Sequence, residues 1–323
     1  MVLPAQRDKP VQNPQKTRAA NGPYLGKIQR LDGMLPGKGL VRRPASGLVH
    51  WGNFINNAPS MQPIVSTVTQ PVSVTAYILT LNEARQLRDV LAGIRWANEI
   101  IVVDSHSTDG TVGIAQENGA RVIDQDFCGF GRLRNQALDA AGNDWIFSID
   151  ADERCTPELA DEIRRELTSP KFDAYFVPRK SHFLGRWIRH SGWYPDYRQP
   201  QLFNRRKFRY REDVVHESFE CAGRCGYLRE HVMQYPWATL AIATEKLHRY
   251  STLMAQRYAA DKKRATLTRL LGSPLAMFVR VYVVQQGFRD GRHGLVLAAL
   301  YSYYTFLKYA KLWELQQKER PRS

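Results

Sequence analysis

The chain has 323 residues, 43% of them apolar and 24% charged, an ordinary balance for a globular protein with core enough for an enzyme. Its 46 Lys and Arg against 31 Asp and Glu give a formal charge of +15, which points to anionic partners: phosphate-bearing substrates, an anionic membrane surface or nucleic acid. No apolar segment follows Met1 as in a secretory signal, and no stretch reaches the roughly 20 uninterrupted apolar residues of a spanning helix, so neither a secreted nor an integral membrane protein is expected.

Residues 1–70 are basic, rich in Pro and Gly and without periodicity, and read as a disordered extension. At Pro71 the texture changes. Val72 to Leu79 is a β-branched apolar run, as in a buried strand, and Asn82 is placed to cap a helix through Ile94 whose Leu87, Val90, Leu91 and Ile94 recur at helical spacing. Glu99 to Val103 is a second strand, Thr111 to Asn118 a helix, Arg121 to Ile123 a third strand, Leu133 to Ala141 a helix and Trp145 to Ile149 a fourth strand. Thr156 and Pro157 then open a helix through Leu167 as N-cap and first helical residue.

Alternating strands and helices predict an α/β domain over 71–239, a mostly parallel sheet with helices on both faces. Its ligands should bind beyond the carboxyl ends of the strands. Past residue 168 the chain becomes aromatic, with Trp187, Trp193, Tyr194 and Tyr197 suited to packing against the sheet or to stacking on a sugar ring. Residues 240–323 read as an amphipathic helical region. Two apolar segments, Leu275 to Gln285 and Leu295 to Leu312, carry Arg280, Arg289, Arg292, Lys308 and Lys311, a pattern suited to lying in an anionic interface.

The carboxylates fall where ligands are expected. Glu83 follows the first strand, Asp104 ends the second, and Asp150 and Asp152 end the fourth, in Asp-Ala-Asp-Glu. Two carboxylates separated by a small residue can face one hard cation, Mg²⁺ or Mn²⁺, which would bridge them to a diphosphate and neutralise it as it departs.

Ile78-Leu-Thr-Leu-Asn-Glu83, Ile100-Ile-Val-Val-Asp-Ser-His-Ser-Thr-Asp-Gly-Thr111 and Trp145-Ile-Phe-Ser-Ile-Asp-Ala-Asp-Glu153 together resemble family 2 glycosyltransferases. Pro178-Arg-Lys-Ser-His-Phe-Leu-Gly-Arg-Trp-Ile188, Gly192-Trp-Tyr-Pro-Asp196, Val215-His-Glu217 and Phe306-Leu-Lys-Tyr-Ala-Lys-Leu-Trp-Glu314 resemble the branch that contains the lipopolysaccharide core glucosyltransferases. The resemblance implies a GT-A fold (Rossmann-like), a nucleotide-sugar donor with UDP-glucose as the default, and inverting transfer to a lipid-linked saccharide such as lipopolysaccharide core. It also implies a peripheral place on the cytoplasmic face of a bacterial inner membrane.

By the same resemblance Asn82, Glu83 and Asp104 contact the base and ribose, and Asp150 lies near the ribose and metal. Asp152 ligates the metal, with His216 as an additional ligand. Arg134 is similar to a basic residue close to the nucleotide, a salt bridge on a helix face being the alternative. Inverting transfer needs a base for the acceptor hydroxyl; Glu217 is favoured over Asp196. Gln201 stands where related chains often have Arg, so Arg198, Arg205 or Arg206 would have to supply that cation.

Three other readings fit parts of the same sequence. One is another family 2 activity on a polyprenyl-linked or capsular intermediate. A nucleic-acid-binding module is disfavoured because the charge is scattered and no binding signature appears. A dinucleotide oxidoreductase is disfavoured because Gly129-Phe-Gly131 lacks the third glycine.

Overall fold

A computed structural model describes residues 72–212 and 218–318; the extension over 1–70 and the pair His216 and Glu217 lie outside the described residues. The first half alternates as expected: β1 (Val74–Thr80), α1 (Ala84–Ile94), β2 (Glu99–Asp104), α2 (Thr111–Glu117), β3 (Arg121–Asp124), α3 (Phe130–Ala140) and β4 (Trp145–Ser148). All of β1 is buried, because the sheet is covered on both faces. Val74, Ala76 and Ile78 face a core with Leu87, Val90 and Ile94 of α1, while Tyr77 and Leu79 face an opposite core with Leu133, Ala137 and Leu138 of α3.

After β4 come β5 (Glu153–Cys155), α4 (Pro157–Leu167), β6 (Ala174–Phe176), β7 (Arg179–Phe183), β8 (Arg186–Trp187), β9 (Leu202–Asn204), β10 (Phe208–Tyr210), β11 (Phe219–Cys221), β12 (Cys225–Tyr227) and β13 (Val232–Trp237). The main sheet runs β12-β6-β9-β4-β1-β2-β3, in which only β9 is antiparallel to its neighbours. Thr156 caps α4 as predicted, its side chain accepting from Leu159 N at 3.2 Å.

The expected Asn82 cap is not formed. Asn82 adopts a left-handed backbone conformation, and the N-terminus of α1 is instead capped by Asp109, whose Oδ2 accepts from Ala84 N at 3.1 Å. The loop after β2 reaches the helix end because β1 and β2 are adjacent.

The aromatic middle forms a second sheet, β5-β13-β7-β8, that the sequence did not reveal. Its far side packs on α5 (Leu240–Ala260), α6 (Ser273–Val279) and α7 (Arg292–Lys318). Phe183, Ile188, Trp193 and Trp237 share one core with Leu247, Tyr250, Leu297, Tyr301 and Tyr304, so this core draws on both sides of residue 239.

Two of the supposed basic margins face inward. Lys308 is buried among the rings of Tyr258, Tyr304 and Tyr309, and Lys311 Nζ donates to His248 O, Ser251 Oγ and Thr252 Oγ1 on α5. Both residues lie on the α7 side that packs on α5, where ring faces and carbonyls replace water around the ammonium groups. The surface that is apolar lies elsewhere: Leu267, Leu271, Leu275, Val279, Val283, Val284 and Phe288 are all exposed. Among the described residues no helix is long and apolar enough to cross a membrane.

Candidate active site

Strand β1 has β2 on one side and β4 on the other, so the connections leaving them diverge and open a crevice at their carboxyl ends. The loops after β1 and β2 are locked together along one wall of this crevice. Asp104 is fully buried and accepts from Thr80 Oγ1 (2.8 Å), Ser107 Oγ (2.6 Å) and Ser107 N (2.7 Å). Asn82 donates its N–H to Ser107 Oγ and accepts at Oδ1 from Thr108 N, both at 2.8 Å. Glu83 N donates to Thr111 Oγ1 at 2.9 Å. The three residues assigned to the base and ribose are thus brought to one place by backbone and hydroxyl contacts.

The acids after β4 are all buried, and two of them hold guanidinium groups. Arg134 of α3 donates to Asp150 Oδ1 at 3.0 Å and to Ser148 Oγ and Tyr77 OH at 3.0 and 3.2 Å, beneath the crevice floor. Burial works against the Asp150 charge, but Arg134, Arg179 and Arg198 prevail and hold its carboxyl below the usual range. Glu153 pairs with Arg179 and accepts from Gln201 Nε2 at 2.8 Å; burial raises its pKa, Arg179 opposing and Asp150 and Asp152 reinforcing. Gln201 therefore clamps Glu153 from the position where an Arg was expected. Asp152 differs from both. It is 2% exposed, and among the described residues its two oxygens accept only from the neutral amide of Gln234, at 3.2 and 3.3 Å.

Sequence reading missed Lys246, on the second turn of α5. Its Nζ donates to Pro236 O at 3.4 Å and lies within electrostatic reach of Asp152 and Glu83. Burial depresses the Lys246 pKa, with both acids opposing. The Glu83 carboxyl is pushed up to about 7 by burial, with Asp152 and Asp109 adding to the rise and Lys246 countering it. No motif marks Lys246, because it joins the site only through the packing of α5 under β13.

Asp196 is nearly buried, and its Oδ2 accepts from Arg198 Nε at 2.8 Å. Arg198 is surrounded by Asp196, Glu153, Asp150 and Asp152; burial disfavours its charge, but these acids more than compensate. Of the three arginines considered as stand-ins at Gln201, only Arg198 reaches the crevice. Arg205 and Arg206 pair with Asp144 at the opposite end of β4. Among the aromatics, Trp193 is core, donating to Tyr301 OH at 2.7 Å, whereas Tyr194 is 36% exposed and stacks on His231.

The described residues contain no group of three or more His, Cys, Asp or Glu side chains arranged for a metal. Asp152 still fits a cation, because it is the acid after β4 whose buried carboxyl has, among the described residues, no guanidinium at ion-pair distance, and a buried carboxylate is costly without a close positive partner.

The chain is similar to known glycosyltransferases. The family model "Glycosyl transferase family 2" matches residues 75–235. An uncharacterized glycosyltransferase of Rickettsia felis is 28% identical over 259 residues, 76% of this chain and 92% of that one. The lipopolysaccharide core biosynthesis glycosyltransferase LpsC of Rhizobium meliloti is 28% identical over 260 residues, 76% of this chain and 94% of that one. Among solved structures, Staphylococcus aureus TarS 1–349 in complex with UDP-GlcNAc is 14% identical with a TM-score of 0.42, covering 78% of this chain and 93% of that one. Residues 75–235 form a glycosyltransferase family 2 domain.

Proposed function

We propose that the protein transfers a sugar, with inversion, from a nucleoside-diphosphate donor to a hydroxyl of a lipid-linked saccharide at a membrane surface. The observation that carries the donor half is the buried carboxylate of Asp152, hydrogen-bonded to the neutral Gln234 amide and within electrostatic reach of Lys246, at the crevice between β1 and β4. Asn82, Glu83 and Asp104 line the wall assigned to base and ribose, and Arg134 holds Asp150 beneath it. Asp152 would hold a divalent cation, Mg²⁺ or Mn²⁺, with His216 assigned as a second ligand. When bound, the ion supplies positive charge to the diphosphate oxygens. Lys246 adds a second positive charge to the same leaving group.

In the transfer step the acceptor hydroxyl oxygen bonds to the anomeric carbon while the bond from that carbon to the diphosphate breaks. The nucleoside diphosphate leaves with the electron pair, and the hydroxyl proton passes to a base. Asp196 already accepts from Arg198, which suits it to positioning the acceptor, and we assign the base to Glu217. The acceptor class rests on the similarity to LpsC. The membrane surface rests on the row of exposed Leu and Val over 267–284, flanked by exposed Lys262, Lys263, Arg264 and Arg269.

Titration calorimetry with UDP, with and without Mn²⁺, tests the donor half on wild type and Asp152→Asn. The expected result is metal-dependent binding that is lost in the variant. Folded wild type that binds no nucleoside diphosphate with either Mn²⁺ or Mg²⁺ would overturn the reading.

A further inference from the structure

A cleft of about 500 Å³, lined by none of the acids after β4, opens between the β7–β8 hairpin and the helical turn Gly287–Asp290 that precedes α7. Its lining is Arg186, Trp187, Arg189, His190, Arg289 and Asp290. Some of the described arginines are paired with a carboxylate, as in Arg88–Glu117, Arg121–Glu99, Arg206–Asp144, Arg209–Asp139 and Arg211–Glu220. The three cleft arginines are not: among the described residues none has a carboxylate at ion-pair distance, and the cleft brings all three guanidinium groups to one opening. Arg289 is held by Gln286, its guanidinium donating to Oε1 at 2.8 Å, and Arg189 lies 4.5 Å over the Trp187 ring. Neutral partners orient these groups without cancelling their charge.

The one acid of the cleft is already occupied. Asp290 is 3% exposed, and its carboxylate accepts from the backbone N–H groups of Arg189 and His190 and from Ser191 Oγ, and contacts His190 Nδ1. It fixes the wall of the cleft and contributes little to its open face. We infer that this cleft binds a phosphoryl group, gripped by Arg186, Arg189 and Arg289. Guanidinium forks match phosphate oxygens in pairs, and three of them suit a group carrying up to two negative charges.

The location narrows the source. Phe288, next to Arg289, and Val283 and Val284 just before the turn are exposed apolar side chains, so the cleft opens at the end of the apolar row over 267–284. From its other side residues 190–196 lead directly to Asp196. A phosphoryl group here would belong either to a lipid headgroup at the membrane surface or to a phosphorylated saccharide entering the site, and binding of either is independent of sugar transfer.

The test uses the full chain and two charge-matched double variants, Arg186→Gln/Arg289→Gln in the cleft and Arg206→Gln/Arg211→Gln elsewhere. All four positions are exposed. Flotation with phosphatidylcholine vesicles, with and without phosphatidic acid, reads the lipid arm; calorimetry with inorganic pyrophosphate reads the soluble arm. The cleft variant should lose about tenfold in partition onto the phosphatidic acid vesicles, and the control variant no more than about twofold. Loss of pyrophosphate binding in the cleft variant with unchanged vesicle partition would assign the cleft to a soluble phosphate and support the inference. Equal losses in both variants, or none in either assay, would overturn it.

Discussion

Asp150, Asp152 and Glu153 lie within one turn of chain, yet folding gives each a different electrostatic role. Arg134 neutralises Asp150 and Arg179 neutralises Glu153, so each pair is a structural unit. Removing Arg134 leaves Asp150 buried without its hydrogen-bonded guanidinium, with Arg179 and Arg198 acting on it only electrostatically. Arg134→Met should therefore cost about 3–5 kcal/mol of stability, measured by urea denaturation. Asp152→Asn should behave in the opposite way: equal or higher stability in the same assay, with loss of the proposed metal-dependent UDP binding, because a buried carboxylate bonded only to a neutral amide is costly to fold. Glu83 gives a pH signature. Its pKa rises from 4.5 to about 7 on folding, so between those values the native state holds a proton that the unfolded chain has released. Stability should fall by about 3 kcal/mol as pH rises through that window and level off above it. Glu83→Gln should remove this slope from the pH profile of the denaturation midpoint.

Among the elements, the helix over 268–284 departs from regular α-geometry in a way that bears on function. Leu267, Leu271, Leu275, Val279 and Val283 repeat every four residues, a spacing that would drift around an α-helix of 3.6 residues per turn. The wider π-helical turns at Thr268–Gly272 and Arg280–Val284 hold the row on one side, while Pro274, Met277 and Val281 are buried. Where α7 begins, a methyl group on Gly294 would collide with the Gly287 carbonyl oxygen, so this contact requires glycine. Gly294→Ala should cost about 1–3 kcal/mol in thermal or urea unfolding. Because Gly287 opens the turn that carries Arg289, the same variant should weaken pyrophosphate binding. Strands β1 to β4 were legible within a residue or two, because long apolar runs broken by turns have few other readings. Strands β5, β7, β8 and β13 were not, being two to six residues long and, apart from the β7–β8 hairpin, paired across large sequence separations.

Taken whole, the molecule pairs an α/β half that builds the donor crevice with a helical half that exposes an apolar row. The net charge of +15 is unevenly used, since Lys308 and Lys311 serve the interior while the arginines around the cleft stay open to solvent. Leu271→Asp/Val279→Asp changes two exposed positions, so the fold should survive while partition onto anionic vesicles falls at least tenfold. Added salt should weaken partition of wild type, since screening acts on the basic part of the interaction. The order of the first strands and the positions of Glu83, Asp104, Asp150 and Asp152 at strand ends were fixed by local pattern, which needs only the alternation of apolar runs and turns. Which acids are neutralised, that Lys246 joins them, and that three arginines face one cleft were decided by tertiary structure alone. Those properties depend on which charges packing brings within a few ångströms of one another, and residues a hundred positions apart leave no local trace of that.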